Sequence, residues 1–167
     1  MVVNMKQAKN TCKKLHNRLI AIDIENYNGG PVTSKAQAKW CYRTIYNWIK
    51  PEDNDLIVVA ADASTMANLH EEWRSHRMLA GYGENGADLR LLESLDESIA
   101  DRFNEVILVS GDGIFAHKIS QLAAQGIRTT VYCHKYGLAK RLAFAATTVI
   151  TTPTSPTTPP SAPRKAV

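Results

Sequence analysis

Residues 56 to 61 read Leu-Ile-Val-Val-Ala-Ala, and residues 19 to 24 read Leu-Ile-Ala-Ile-Asp-Ile. Both runs are too short and too rich in β-branched or small apolar residues to favour a helix. Neither leaves a polar face for water, so each belongs inside a sheet covered on both sides, where parallel strands are found. Further strands are predicted at 79–82, 105–110, 128–133 and 147–150. Between them lie stretches with helical periodicity. Strands alternating with helices predict an α/β, three-layer sandwich with a mainly parallel sheet, doubly wound and Rossmann-like.

The helices have recognisable signals. Ser34 to Gln37 spells a capping box that opens a helix to about Lys50, with Cys41, Ile45, Trp48 and Ile49 at core spacing. Ser64 or Thr65 caps a helix to about Met78. Leu91, Leu92, Leu95 and Ile99 predict one helix from about 87 to 101. Phe115, Ile119, Leu122 and Ala123 share a helical face that ends near Gly126. A short helix is predicted over 138–145.

With 167 residues and 44% hydrophobic content, the chain can bury one core and is short for two. Three segments follow: a basic arm over 1–17, either loose or a short amphipathic helix; a folded domain over 18–150; and a disordered Pro/Thr/Ser-rich tail over 151–167. Lys6, Lys9, Lys13, Lys14 and Arg18 stand in the first 20 residues without an acid, which suits a polyanionic partner. Cys12, Cys41 and Cys133 are odd in number and widely spaced, as in a reduced, cytoplasmic chain. No apolar run has membrane-spanning length.

A parallel sheet gathers the ends of its strands at one edge, where ligands bind. Asp23 follows the first strand, Asp88 opens a helix and Asp112 follows the fourth strand. Carboxylates brought together repel and raise one another's pKa unless a cation neutralises them. Mg2+ or Mn2+, hard ions that prefer oxygen ligands, would do so and would stabilise charge on a phosphodiester during in-line displacement. Capping alone is a credible role for Asp112, which precedes a helix start. It is a weak one for Asp23, since Asn26, Asn28 and Gly29-Gly30-Pro31 predict a turn before the next helix.

Three motifs in order, Ile-Asp-Ile-Glu-Asn (22 to 26), Gly-Ala-Asp-Leu-Arg-Leu-Leu (86 to 92) and Val-Ser-Gly-Asp-Gly-Ile-Phe (109 to 115), resemble the NYN domain, a branch of the PIN-like metal-dependent nucleases. The resemblance spans roughly residues 18 to 150. It implies a PIN-like fold and Mg2+- or Mn2+-dependent cleavage of RNA, with endonucleolytic, single-stranded action favoured. Asp23, Asp88 and Asp112 would be catalytic metal ligands, Asn26 and Ser110 would sit beside them, and the helix start at Gly113 would help hold the site. Members commonly read Ser-Gly-Asp-x-Asp-Phe, and Ile114 stands where the second aspartate would be. Glu25 or Asp62 lies near enough in sequence to a strand end to substitute. A partner protein could also complete the site, and a homodimer is compatible with the sequence.

Other readings carry less. A non-catalytic RNA-binding module would keep the basic surface without a filled metal site. A haloacid-dehalogenase-type phosphatase would use Asp23 as nucleophile, but Glu25 stands where its second aspartate belongs. Gly81-x-Gly-x-x-Gly86 spells a dinucleotide fingerprint in the wrong place, with Asp88 where a pyrophosphate would sit. It reads better as a glycine-rich turn. For phosphate contact, Lys13, Lys14 and Arg18 form one candidate group, and His134, Lys135, Lys140 and Arg141 another; Arg90 stands at the cleft rim. Tyr27, Trp40 and Tyr82 are candidates to stack on unpaired bases, although a half-buried place on its helix suits Trp40 better.

Overall fold

The computed structural model describes residues 17–96 and 98–152. The predicted arm and tail therefore lie outside the described residues, apart from Asn17, Thr151 and Thr152. In chain order the elements are β1 (Arg18–Asp23), α1 (Ile24–Asn28), α2 (Lys35–Ile49), β2 (Leu56–Asp62), α3 (Met66–Trp73), β3 (Arg77–Gly81), α4 (Gly86–Ser94), α5 (Ile99–Arg102), β4 (Glu105–Val109), α6 (Ala116–Ala124), β5 (Arg128–Cys133), α7 (Lys140–Ala145) and β6 (Thr148–Thr151). Short 3-10 turns occupy 63–65, 113–115 and 135–137.

The six strands form one sheet in the order β3-β2-β1-β4-β5-β6, and every pairing is parallel. β1 is central, and its side chains alternate between two cores. Ile20 and Ile22 pack with Cys41, Ile45 and Ile49 of α2 and with Leu69 and Trp73 of α3. Leu19 and Ala21 face the opposite layer, with Leu91 of α4, Ile99 of α5, Ile119 of α6 and Leu142 of α7. This is the three-layer α/β sandwich expected from the doubly apolar strands, and its sheet is wholly parallel.

Several expectations need correction. The segment after Asp23 is a helix, α1, which ends at Gly29 in the left-handed conformation (φ 80°). The leucine-rich stretch forms two helices, because the chain turns at Leu95-Asp96 and Ser98 adopts a left-handed φ of 49°. The helix expected to reach Met78 stops at Trp73, and the strand after it begins at Arg77. Thr65 is its N-cap residue, as expected, but makes no side-chain cap bond, while Asp62 accepts from Ser64 N at 2.9 Å and opens the 3-10 turn that leads into α3. Trp48, expected in the core, is half-buried, its ring nearly perpendicular to that of Tyr132 with the centroids 4.9 Å apart. β6 extends through Thr151.

Candidate active site

Reversal of strand order beside β1 opens a crevice at the carboxyl edge, because the connection from β1 leads towards β2 while β4 leads towards β5. Asp23 is the last residue of β1 and Ser110 the first after β4. Both are nearly inaccessible, at 4% and 1% exposure, although they stand at the edge where loops diverge.

A chain of hydrogen bonds ties the two loops together. Ser110 Oγ donates to Asp23 Oδ2 at 2.8 Å, and Asn26 N donates to Asp23 Oδ1 at 3.2 Å. Gly111 N donates to Asn26 Oδ1 at 2.9 Å, and Asp112 N donates to Ser110 Oγ at 3.1 Å. Asp112 Oδ1 in turn accepts from Ile114 N at 2.9 Å, capping the 3-10 turn. Asp23 is therefore also a helix cap, contrary to the reading of 26–30 as a plain turn. The capping role expected of Asp112 is present.

Electrostatics connect Asp23 and Asp112 to Asp88. Burial, and then the nearby charge of Asp88, push the Asp23 carboxyl up to about 7, with Asp112 adding to the rise and the Ser110 hydrogen bond opposing it. Asp88, in the first turn of α4, is raised by burial and by the charges of Asp112 and Glu25. A close approach brings it there: a Cβ on Gly81 would fall 2.0 Å from Ala87 N, so the end of β3 sits directly against the start of α4. The glycine-rich turn is thus a packing device.

Oxygen-only, acidic donors of this kind match a hard divalent cation. The side chains do not form a finished cage: among the described residues, no three His, Cys, Asp or Glu side chains are arranged to hold one ion. The reason is visible in the bonds. Both Asp23 oxygens and one Asp112 oxygen serve backbone or hydroxyl donors. Asp88 is half-buried and Asp112 exposed.

The sequence matches the model of the NYN domain over residues 4–153, which is most of the chain. The chain belongs to the NYN domain family. It therefore carries a nuclease-type, PIN-like domain. A protein of unknown function from Vibrio parahaemolyticus has a similar structure, with a TM-score of 0.62 and 19% identity over 81% of this chain and 92% of that one. That likeness concerns the fold. No curated protein matches the chain.

In this NYN domain, the position that commonly bears another aspartate has a different job. Ile114 is half-buried and packs against the core between the sheet and α4 to α7. Of the two substitute acids, Glu25 faces the cluster: its charge raises Asp88, while its Oε1 accepts from Asp62 N at 3.2 Å. The Asp62 carboxylate instead serves Ser64, accepting from both its backbone and its hydroxyl.

The basic flank is clamped to the acid-bearing loop. Ala139 N donates to Gly111 O at 2.9 Å. A Cβ on Gly111 would fall 2.1 Å from Gly137 O, and one on Gly113 would fall 2.2 Å from Arg141 Nε. Arg141 therefore lies against the backbone beside Asp112. Glycine in both places was the only available signal for these contacts, and it does not name its partner. Lys135 and Lys140 are exposed on the same segment. His134 anchors it, with Nε2 donating to Tyr27 O at 2.8 Å and its ring stacked on Tyr27 at 4.8 Å.

Other candidates stand elsewhere. Tyr27 is buried, bonded to Thr44 and stacked on the half-buried Trp40, so its faces are taken by protein. Arg90 is exposed on α4 and pairs with Glu93. Arg18 begins β1, at the opposite end of the strand from Asp23, and pairs with Asp55 at 2.5 Å. That pairing removes it from the phosphate-contact group. Lys13 and Lys14 lie outside the described residues. Among those residues, no helix is long and apolar enough to cross a membrane.

Proposed function

We propose that the chain is a metal-dependent ribonuclease that hydrolyses RNA phosphodiester bonds, endonucleolytically, at the carboxyl edge of its sheet. The observation that carries this reading is the Asp23 carboxylate: buried at the β1–β4 crevice, bonded to Ser110 and electrostatically coupled to Asp88 and Asp112. Burial of an acid without a positive partner is unfavourable, and the site recovers that energy when a cation enters. Asp23, Asp88 and Asp112 would hold Mg2+ or Mn2+, which supplies charge stabilisation at the phosphate. Ser110 and Asn26 orient Asp23 and the loop bearing Asp112. Arg141, Lys140 and Lys135 contact phosphates along the strand, with Arg90 on the far rim. Glu25, facing Asp88, supports the site where Ile114 does not.

The segments over 1–17 and 151–167 would flank this domain. A cytoplasmic location agrees with the free cysteines among the described residues, Cys41 and Cys133, both buried and raised in pKa by burial. A second reading, a binder of RNA without catalysis, draws on Ile114, whose core contacts leave the site one carboxylate short.

The test is incubation of labelled single-stranded RNA with Mn2+, Mg2+ or EDTA, using the parent and Asp112→Asn. Cleavage by the parent with metal, abolished by EDTA and reduced at least about 100-fold by the substitution, is expected. RNA binding without cleavage in any condition would favour the second reading. Release of phosphate from small phosphomonoesters would favour a phosphatase.

A further inference from the structure

Two of the largest exposed apolar side chains stand on the basic segment clamped to the acid-bearing loop. Tyr136 is 89% exposed and Phe144 is 90% exposed. Neither contributes appreciably to the core, so folding does not account for leaving their rings in water. Their surroundings are cationic. Lys135 Nζ lies 5.9 Å from the Tyr136 ring centroid. Lys140 and Arg141 precede Phe144 by four and three residues on α7, which places all three on one helical face while Leu142 is buried.

The clamps fix the order along the loop. Gly137, next to Tyr136, sits on Gly111; Arg141, one turn before Phe144, sits on Gly113. Asp112 lies between those two contact points. In chain order, Tyr136 and Phe144 therefore bracket the two contacts, with Arg141 between them.

We infer that residues 134–144 form a single-strand grip, in which Tyr136 and Phe144 each stack on an unpaired base while Arg141 holds the intervening phosphate beside Asp112. The inference rests on the RNA reading proposed above and names the residues that select the strand state of the substrate. Rings this exposed offer their faces to any base, so the grip has little sequence preference. A duplex keeps its bases stacked inward and presents only backbone, which Arg141 and the lysines can touch but the rings cannot. Charge complementarity favours this occupant over an apolar protein surface, because the rings alternate with cations.

Binding without metal isolates the grip from the chemistry. The full chain in EDTA is titrated with a fluorescent unstructured RNA oligomer and with a duplex of equal length. Tyr136→Ala and Phe144→Ala are each expected to weaken single-strand binding about 5- to 100-fold, with duplex binding unchanged, while Tyr136→Phe keeps the parent affinity. Arg141→Ala should weaken both forms and lower the salt slope by about one. Since both rings are exposed, unchanged thermal unfolding of the alanine variants would exclude a folding defect. Duplex binding as tight as single-strand binding, an unchanged affinity for Tyr136→Ala, or no RNA binding by the parent would overturn the grip. Tight single-strand binding by a parent that never cleaves would overturn the nuclease reading and leave the grip standing.

Discussion

Ser110 Oγ donates a 2.8 Å hydrogen bond to Asp23 Oδ2, joining residues 87 positions apart across the crevice between β1 and β4. The bond holds one oxygen of an acid whose pKa burial and neighbouring carboxylates have pushed up to about 7.

The first prediction concerns pH. Asp23 ionises near 4 in the unfolded chain and near 7 in the folded one. Between those values the folded state binds the extra proton, so stability is greatest at the acid side and falls as pH rises through the window. The loss, for metal-free protein, is on the order of 4 kcal/mol. Asp88 is raised as well and acts in the same direction. Urea unfolding of metal-free protein from pH 4 to 8 measures it. Asp23→Asn should flatten the profile and be more stable than the parent at pH 8; a parent whose stability climbs over that range contradicts the burial argument.

Metal should reverse that order. At pH 7.5, saturating Mn2+ or Mg2+ is expected to raise the melting temperature of the parent, by about 2.7 kcal/mol of stabilisation at 100 times Kd. Asp23→Asn should gain little, and EDTA should restore the metal-free value in both. Equal shifts for parent and variant would place the ion elsewhere.

The two loop glycines should separate folding from binding. On Gly113 a Cβ meets the Arg141 side chain, which can swing away, so Gly113→Ala should cost about 1 kcal/mol or less. RNA affinity should nonetheless fall towards that of Arg141→Ala. On Gly111 a Cβ meets the Gly137 carbonyl, which is backbone, so Gly111→Ala should destabilise by about 2 kcal/mol or more. Chemical denaturation and RNA titration of both variants give the comparison.

Far from the crevice, Arg18 pairs with an Asp55 side chain that is 0% exposed. Arg18→Ala leaves that carboxylate buried with its main partner gone, and a loss of about 3 kcal/mol is expected. RNA affinity per folded molecule should not change, measured under conditions where the variant remains native. A loss of affinity without a loss of stability would return Arg18 to the phosphate-binding surface.

The architecture was legible because burial on both faces leaves its mark on every residue of a strand: Leu19 to Ile22 and Ile57 to Ala61 could be read as central without knowing their neighbours. The breaks were less so. Nothing in Leu91, Leu95 and Ile99 announces that Ser98 takes a left-handed φ, since the apolar periodicity continues through the kink. The grouping of Asp23, Asp88 and Asp112 follows from topology, which composition foreshadows. Their capping bonds depend on rotamers, which it does not. Arg18 and Tyr27 were misread for a common reason: a charge or ring has the same spelling whether it meets solvent or Asp55 and Trp40.

The strand order has a consequence for biosynthesis. β1 is made before the other five strands, yet it lies between β2 and β4, and its acid acquires Ser110 and Asp112 only after β2, β3 and β4 have been synthesised. The clamp from Ala139 and Arg141 comes later still. A nascent or prematurely terminated chain ending before β4 holds Asp23 and Asp88 without Ser110 and Asp112.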